Sequence, residues 1–185
     1  MDTIVWVILG VVVAAILLWG VSKRNYFVTL TNNVEEAFAT IDVYLKKRYD
    51  LIPNLLETVK GYMKHEKETF ESVIRARNMA MSATGDDRAQ AENQLSGTLK
   101  SLFALAESYP ELKADRQFLD LQNQLKAIET ELAQSRKYYN AIVKQYNTAI
   151  LVFPANIIAN MMKLTKRKYF ELDDAEERKN VKISF

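Results

Sequence analysis

Residues 3–21, TIVWVILGVVVAAILLWGV, contain no charged side chain, and this stretch constrains the chain more than any other. As a helix rising about 1.5 Å per residue it reaches about 28 Å, close to the hydrocarbon thickness of a bilayer. A secretory signal peptide opens with positively charged residues, whereas the early charge here is Asp2. Lys23 and Arg24 follow the segment directly, so the positive-inside rule puts the body in the cytoplasm and the N-terminus outside. Trp6 and Trp19 stand near the two ends, where indole rings favour the headgroup zone. These residues predict a single-pass membrane anchor over residues 1–25. The alternative is an uncleaved segment that leaves the body on the outer side.

About 160 residues remain beyond the anchor, enough for one helical domain with a real core. With 25 basic and 23 acidic residues the formal net charge is +2, which argues against the basic face of a nucleic-acid binder. Five glycines and three prolines are few breakers, and with abundant Ala, Leu, Lys, Glu and Gln they point to long helices. The absence of cysteine removes disulfides, thiolate metal sites, thiol catalysis and lipid attachment through a thiol.

From Tyr26 to Tyr49 the apolar residues Phe27, Leu30, Val34, Ala37, Ile41 and Tyr44 alternate by three and four, the pattern of a packed helix. Lys46, Lys47 and Arg48 are expected to close that helix at the negative end of its dipole. The functional alternative for them is a site for an acidic partner. Pro53 predicts a turn or sharp kink over Asp50–Pro53, with Asp50 as N-cap. A second helix then runs to about Met81 with Leu56, Val59, Met63, Phe70, Val73 and Ala80 on one stripe. Glu66 shares the stripe and marks either a polar site or its edge. Ser82–Asp87 is the clearest loop. A third helix to about Ser108 carries Leu95, Leu99, Leu102 and Ala106 in register with Tyr109, Pro110 ends it, and Asp115 is placed to cap the next. In the fourth helix Phe118, Leu125, Leu132, Tyr139 and Tyr146 recur every seven residues, with Leu121, Ile128, Ser135, Ile142 and Ala149 as a second seam. That pattern suits an intermolecular coiled coil, and better an intramolecular bundle in which three other helices bury their stripes. The fold class expected is all-α: one N-terminal transmembrane helix, then an antiparallel up-and-down bundle of about four long helices and a short C-terminal helix.

The segments IDVYLKKRYDLIPNLLETVKGYMKHE, LFALAESYPELKAD, and YYNAIVKQYN followed by FPANIIA resemble the signature segments of the LemA family. The likeness runs from about Tyr26 to Phe170, which makes residues 26–170 the bundle and 171–185 a polar tail. It implies a bacterial protein of the cytoplasmic (inner) membrane with one N-terminal span and an antiparallel helical bundle. It implies no agreed biochemical activity and no cofactor. A branch similar to this family occurs among magnetosome membrane proteins, which supports a membrane-organising role. Asp115 stands where asparagine is expected in the family pattern, and either residue caps a helix.

The search for chemistry is mostly negative. The surroundings of Gly61 lack the glycine spacing of a phosphate loop. His65 is the sole histidine, and Thr69 occupies the place of the second zincin ligand. One histidine cannot serve two Glu-x-x-His motifs of a di-iron bundle, and no glycines build a nucleophile elbow around a serine. No catalytic, metal or cofactor residue is therefore assigned. Tyr139, Asn140, Tyr146 and Asn147 form the most suggestive polar cluster, either an inter-helix ligand groove or a core that uses tyrosines as long spacers. After Phe153–Pro154 a short apolar helix with Ile157, Ile158, Met161, Met162 and Leu164 precedes Lys163, Lys166, Arg167 and Lys168, a combination suited to an anionic membrane surface or merely to capping the bundle. The end Ile183–Ser184–Phe185 fits a strand-addition groove of a partner or a loose tail. Gly10 and Ala14 offer a small-xxx-small face for packing anchors together. The reading is a non-enzymatic, membrane-anchored scaffold or adaptor, a homo-oligomer or partner of another membrane protein, without nucleic acid. A ligand-binding or sensing bundle is the alternative.

Overall fold

The computed structural model describes residues 2–63, 65–84 and 87–170. These form six helices and, among the described residues, no strand: α1 (Asp2–Lys60), α2 (Lys67–Ser82), α3 (Asp87–Ala106), α4 (Pro110–Ala114), α5 (Arg116–Ala149) and α6 (Ala155–Met161). The polar tail over 171–185, with its expected strand-addition end, lies outside the described residues.

The main departure from the sequence reading is α1, whose 59 residues pass through Pro53 without a break. Proline has no N–H to give the carbonyl four residues back, here that of Tyr49. That carbonyl instead accepts a 2.9 Å hydrogen bond from Nε of Arg77 on α2, and the Pro53 ring faces solvent. The expected turn at Asp50–Pro53 is thus corrected, and Asp50 lies inside the helix rather than at an N-cap. Lys46, Lys47 and Arg48 likewise sit more than three turns before the helix end, too far to meet its dipole. The real break comes at Gly61, where the N–H groups of Tyr62 and Met63 both fall back on the Val59 carbonyl at 3.0 Å. Leu56 and Val59 are therefore buried from α1, and Phe70, Val73 and Ala80 from α2.

Packing divides the chain into two compact units. The first takes α1 up to Asp42 and residues Gln134–Tyr169. Its core joins Phe27, Leu30, Val34, Ala37 and Ile41 of α1 to Tyr139, Val143, Tyr146 and Ile150 of α5, with Ala159 of α6. The rings of Phe38 and Tyr139 meet at 5.6 Å. The second unit takes Val43–Ala133 and Phe170. There Leu45, Ile52 and Leu55 of α1, Leu95 and Leu102 of α3, Leu112 of α4 and Phe118 and Leu132 of α5 are all at most 2 % exposed. Each such side chain contributes roughly 1.5–3 kcal/mol of burial.

Along α5 the first seam of the heptad pattern is buried throughout, from Phe118 to Tyr146. The second seam is not: Leu121 and Ser135 are buried, whereas Ile128, Ile142 and Ala149 are half-buried and Val143, Asn147 and Ile150 take over. A straight helix drifts about 20° per heptad against a seven-residue repeat, which moves its buried stripe in this way. Asp115 caps α5 as expected. Its Oδ1 accepts the Phe118 N–H at 2.8 Å and its Oδ2 accepts the Tyr62 hydroxyl at 2.9 Å. These bonds, the Phe118 N–H foremost, hold the carboxyl below the ordinary range.

Candidate functional site

Among the described residues one helix is long and apolar enough to cross a membrane, and it is α1. From Asp2 to Leu18 every residue, including Trp6, is exposed to the surroundings, and then coverage starts abruptly. Trp19, Gly20 and Lys23 are half-covered, Arg24 is exposed, and Phe27 is fully buried. No linker separates bare helix from packed helix. A Cβ placed on Gly20 would stand 3.8 Å from Cδ1 of Ile158, so α6 packs against α1 at the end of its apolar run. The Lys23 ammonium lies 5.5 Å from the Tyr26 ring centroid.

The chain reaches that level through a turn and the seven residues of α6. Pro154 occupies the N-cap, and α6 closes with the Leu164 N–H on the Ala159 carbonyl at 3.0 Å. This i+5 closure needs a left-handed residue, which Lys163 supplies at φ 55°, a position that glycine usually fills. Leu151, Val152, Phe153, Ile157 and Met161 remain exposed around this turn. Lys163, Lys166, Arg167 and Lys168 are exposed as well, and Arg167 approaches Glu35 at 3.9 Å.

The tyrosine–asparagine cluster turns inward. Tyr139, Tyr146 and Asn147 are buried and Asn140 is half-buried. Asn147 grips one residue's backbone at both ends, its Nδ2 donating to the Arg167 carbonyl and its Oδ1 accepting the Arg167 N–H, each at 2.8 Å. The Tyr139 hydroxyl donates to the Lys168 carbonyl at 3.1 Å. Burial raises the Tyr139 pKa above its ordinary value. These side chains thereby tie residues 167–168 to α5. A shallow depression of about 370 Å³ lies beside them, lined by Tyr26, Ala141, Lys144, Gln145, Thr148 and Ala149.

In the second unit the sequence reading missed a buried charge cluster. Arg48 and Glu92 are both 0 % exposed and form an ion pair between α1 and α3. Arg48 also pairs with Glu129 of α5 and donates to Ser96 Oγ at 2.9 Å. The Tyr49 hydroxyl donates to the other Glu92 oxygen and to the Ala80 carbonyl. The signal was legible in principle. Arg48 falls in register with Ile41, Leu45, Ile52 and Leu55, and Glu92 with Leu95, Leu99 and Leu102. Two opposite charges on apolar stripes need each other.

Burial, and then the bond to Glu92, push the Tyr49 hydroxyl well above its ordinary pKa, away from the range a general base needs. The guanidinium is held by carboxylates from two helices, which fixes α1, α3 and α5 in one register. Glu66 accepts the Tyr109 hydroxyl at 2.9 Å, and His65 is exposed. Among the described residues no three carboxylate or histidine side chains converge as metal ligands.

Comparison with known proteins gives a coherent picture. The LemA family model matches residues 37–185. "Protein LemA" of Metamycoplasma hominis is 23% identical over 158 residues, covering 84% of this chain and 72% of that protein. "Magnetosome protein MamQ 2" of Paramagnetospirillum magneticum is 21% identical over 176 residues, covering 80% of this chain and 65% of that protein. "Magnetosome protein MamQ" of Magnetospirillum gryphiswaldense is 21% identical over 175 residues, covering 80% and 64%. The chain thus spans somewhat less than two thirds of the length of these magnetosome relatives. The family match begins inside α1 beyond its bare segment and takes in every later helix, so it rests on the packed body and not on apolar composition: the chain belongs to the LemA family.

Proposed function

We propose that this protein is a single-pass membrane scaffold or adaptor, with residues 3–21 across the bilayer and an antiparallel helical bundle on the cytoplasmic side. The observation that carries the reading is the direct passage of α1 from bare apolar helix to packed helix within a few residues of Trp19. A first unit built on the anchor without a linker stands at a fixed height and angle on the membrane. The antiparallel arrangement in the first unit is supported by contacts that step down α1. Phe38 meets Tyr139, Tyr26 meets the 141–149 stretch, and Gly20 meets Ile158. Lys23 and Arg24 favour the cytoplasmic orientation in a bacterial inner membrane. The magnetosome relatives favour membrane organisation as the concrete form of the role.

Self-association or a membrane-protein partner completes the proposal. The polar groups on which a ligand-binding bundle would rest, those of Tyr139, Asn147 and Glu66, already bond within the chain. The test is the mass of full-length protein extracted in mild detergent at near-native expression, with co-purifying proteins identified. A uniform homo-oligomer or a defined companion supports the proposal. A bare monomer that a metabolite stabilises against heat refutes it.

A further inference from the structure

We propose that residues 151–161 form a second membrane site, an interfacial wedge that sinks Phe153 and its apolar neighbours into the same leaflet that α1 leaves at Trp19–Val21. The proposal rests on the reading that residues 3–21 cross the bilayer.

Five large apolar side chains crowd this turn and stay uncovered: Leu151, Val152, Phe153, Ile157 and Met161. Phe153 is 76 % exposed and Met161 74 %, as bare as Trp6 in the apolar run at 70 %. A soluble surface seldom leaves such a cluster in water, and scattered single exposures are no explanation for five neighbours within eleven residues.

What covers it is decided by depth. Ile158 touches α1 at Gly20, one residue, or about 1.5 Å of rise, from the last apolar residue of the span. An anchor that fills the hydrocarbon therefore puts α6 at the boundary between acyl chains and headgroups. The turn before it lies on the membrane side of Tyr26, because α5 descends along α1 from Phe38 to Tyr26 before the chain arrives at Gly20. Exposed apolar side chains at that level meet lipid. The chemistry around them agrees. Lys163 follows the apolar turn at the end of α6 and is exposed, and its ammonium suits anionic headgroups above a buried apolar edge. The left-handed backbone at Lys163 ends α6 there and starts the chain back along α5, where Asn147 holds it at Arg167. The wedge is thus braced on one side by Gly20 and on the other by Asn147.

The experiment uses full-length protein reconstituted in vesicles of phosphatidylcholine and phosphatidylglycerol, with lipids brominated near the top of the acyl chains. Two proteins are compared. One carries Trp6→Phe, Trp19→Phe and Phe153→Trp, so that its sole indole stands at position 153. The other carries Trp19→Phe alone and keeps Trp6. Circular dichroism of each reports intact helix content. The expected result is a blue-shifted indole at position 153 that loses about half its emission to bromine, with Trp6 quenched in parallel. A water-exposed, unquenched indole at 153 beside a quenched Trp6 overturns the wedge and leaves the anchor standing. A blue-shifted indole that bromine does not reach overturns it too, since a second copy or another protein then covers the turn. Loss of quenching at both positions removes the anchor and the wedge together.

Discussion

Replacing Arg48 by methionine tests the polar cluster most sharply. The substitution keeps length and apolar bulk and removes the charge. Glu92 is then left fully buried without the Arg48 guanidinium that balanced its charge, and keeps the bond from the Tyr49 hydroxyl. Breaking a buried ion pair from one side costs about 3–5 kcal/mol, because the remaining charge has lost its water and its partner. For a chain of this size that loss lowers Tm by roughly 6–20 °C. The cost does not fall on every member of the cluster. Glu129 is 39 % exposed and turns to solvent, and the Tyr49 hydroxyl keeps the Ala80 carbonyl. The double variant Arg48→Met/Glu92→Leu should therefore lose less than the sum of the two singles, with a coupling of about 1–3 kcal/mol between the sites. Thermal unfolding followed by circular dichroism in detergent measures all three proteins. Lys67→Ala serves as control, since its exposed partner Glu71 sits at 3.7 Å and such a pair is worth at most about 0.5 kcal/mol. The reasoning fails if Arg48→Met costs no more than the control, or if the double variant loses the sum of the two singles.

Three further outcomes follow from the geometry. Arg77→Ala should cost about 1–3 kcal/mol by orphaning the Tyr49 carbonyl, and markedly less in a Pro53→Ala background, where a helical N–H returns; a double-mutant cycle in urea decides it. Tyr49 has a folded pKa raised above its ordinary value of about 10, so its contribution is complete below pH 10 and is lost as pH rises through the folded value; Tyr49→Phe should flatten the alkaline loss of Tm. Asp115 has a lowered folded pKa, so its cap acts above the unfolded value near 3.8 and is lost as pH falls through the folded one. Asp115→Ala should lower Tm by a few degrees at neutral pH and leave it unchanged in strong acid, and Asp115→Asn should retain most of the cap.

Local chemistry was legible wherever a residue and its partner lie close in sequence. The uncharged run 3–21, the cap at Asp115 and the apolar positions from Phe118 to Tyr146 each follow from neighbours within a turn or a heptad. Pro53 shows where such reading stops. The donor that lets the helix pass it is Arg77, on another helix, and nothing near Pro53 announces that side chain. Arg48 was misassigned for the same reason. Once Pro53 is read as a break, three basic residues before it look like a helix end, and the partner that explains the middle one lies at Glu92. The tyrosine–asparagine cluster was seen but its occupant was not, because Asn147 binds backbone, which carries no sequence signal.

The unbroken course of α1 past Trp19 has a rotational consequence. A flexible joint would let the apolar half and the packed half turn independently, but here each residue adds a fixed step of about 100° around one axis. Whatever neighbour grips one side of the apolar half sets the compass heading of Phe27, Leu30 and the rest of the first unit. Adding a single residue at Ser22 would swing that heading by about 100°, and adding seven would bring it nearly back. Any contact made along the apolar half is then a matter of azimuth, set there and carried unchanged into the packed half.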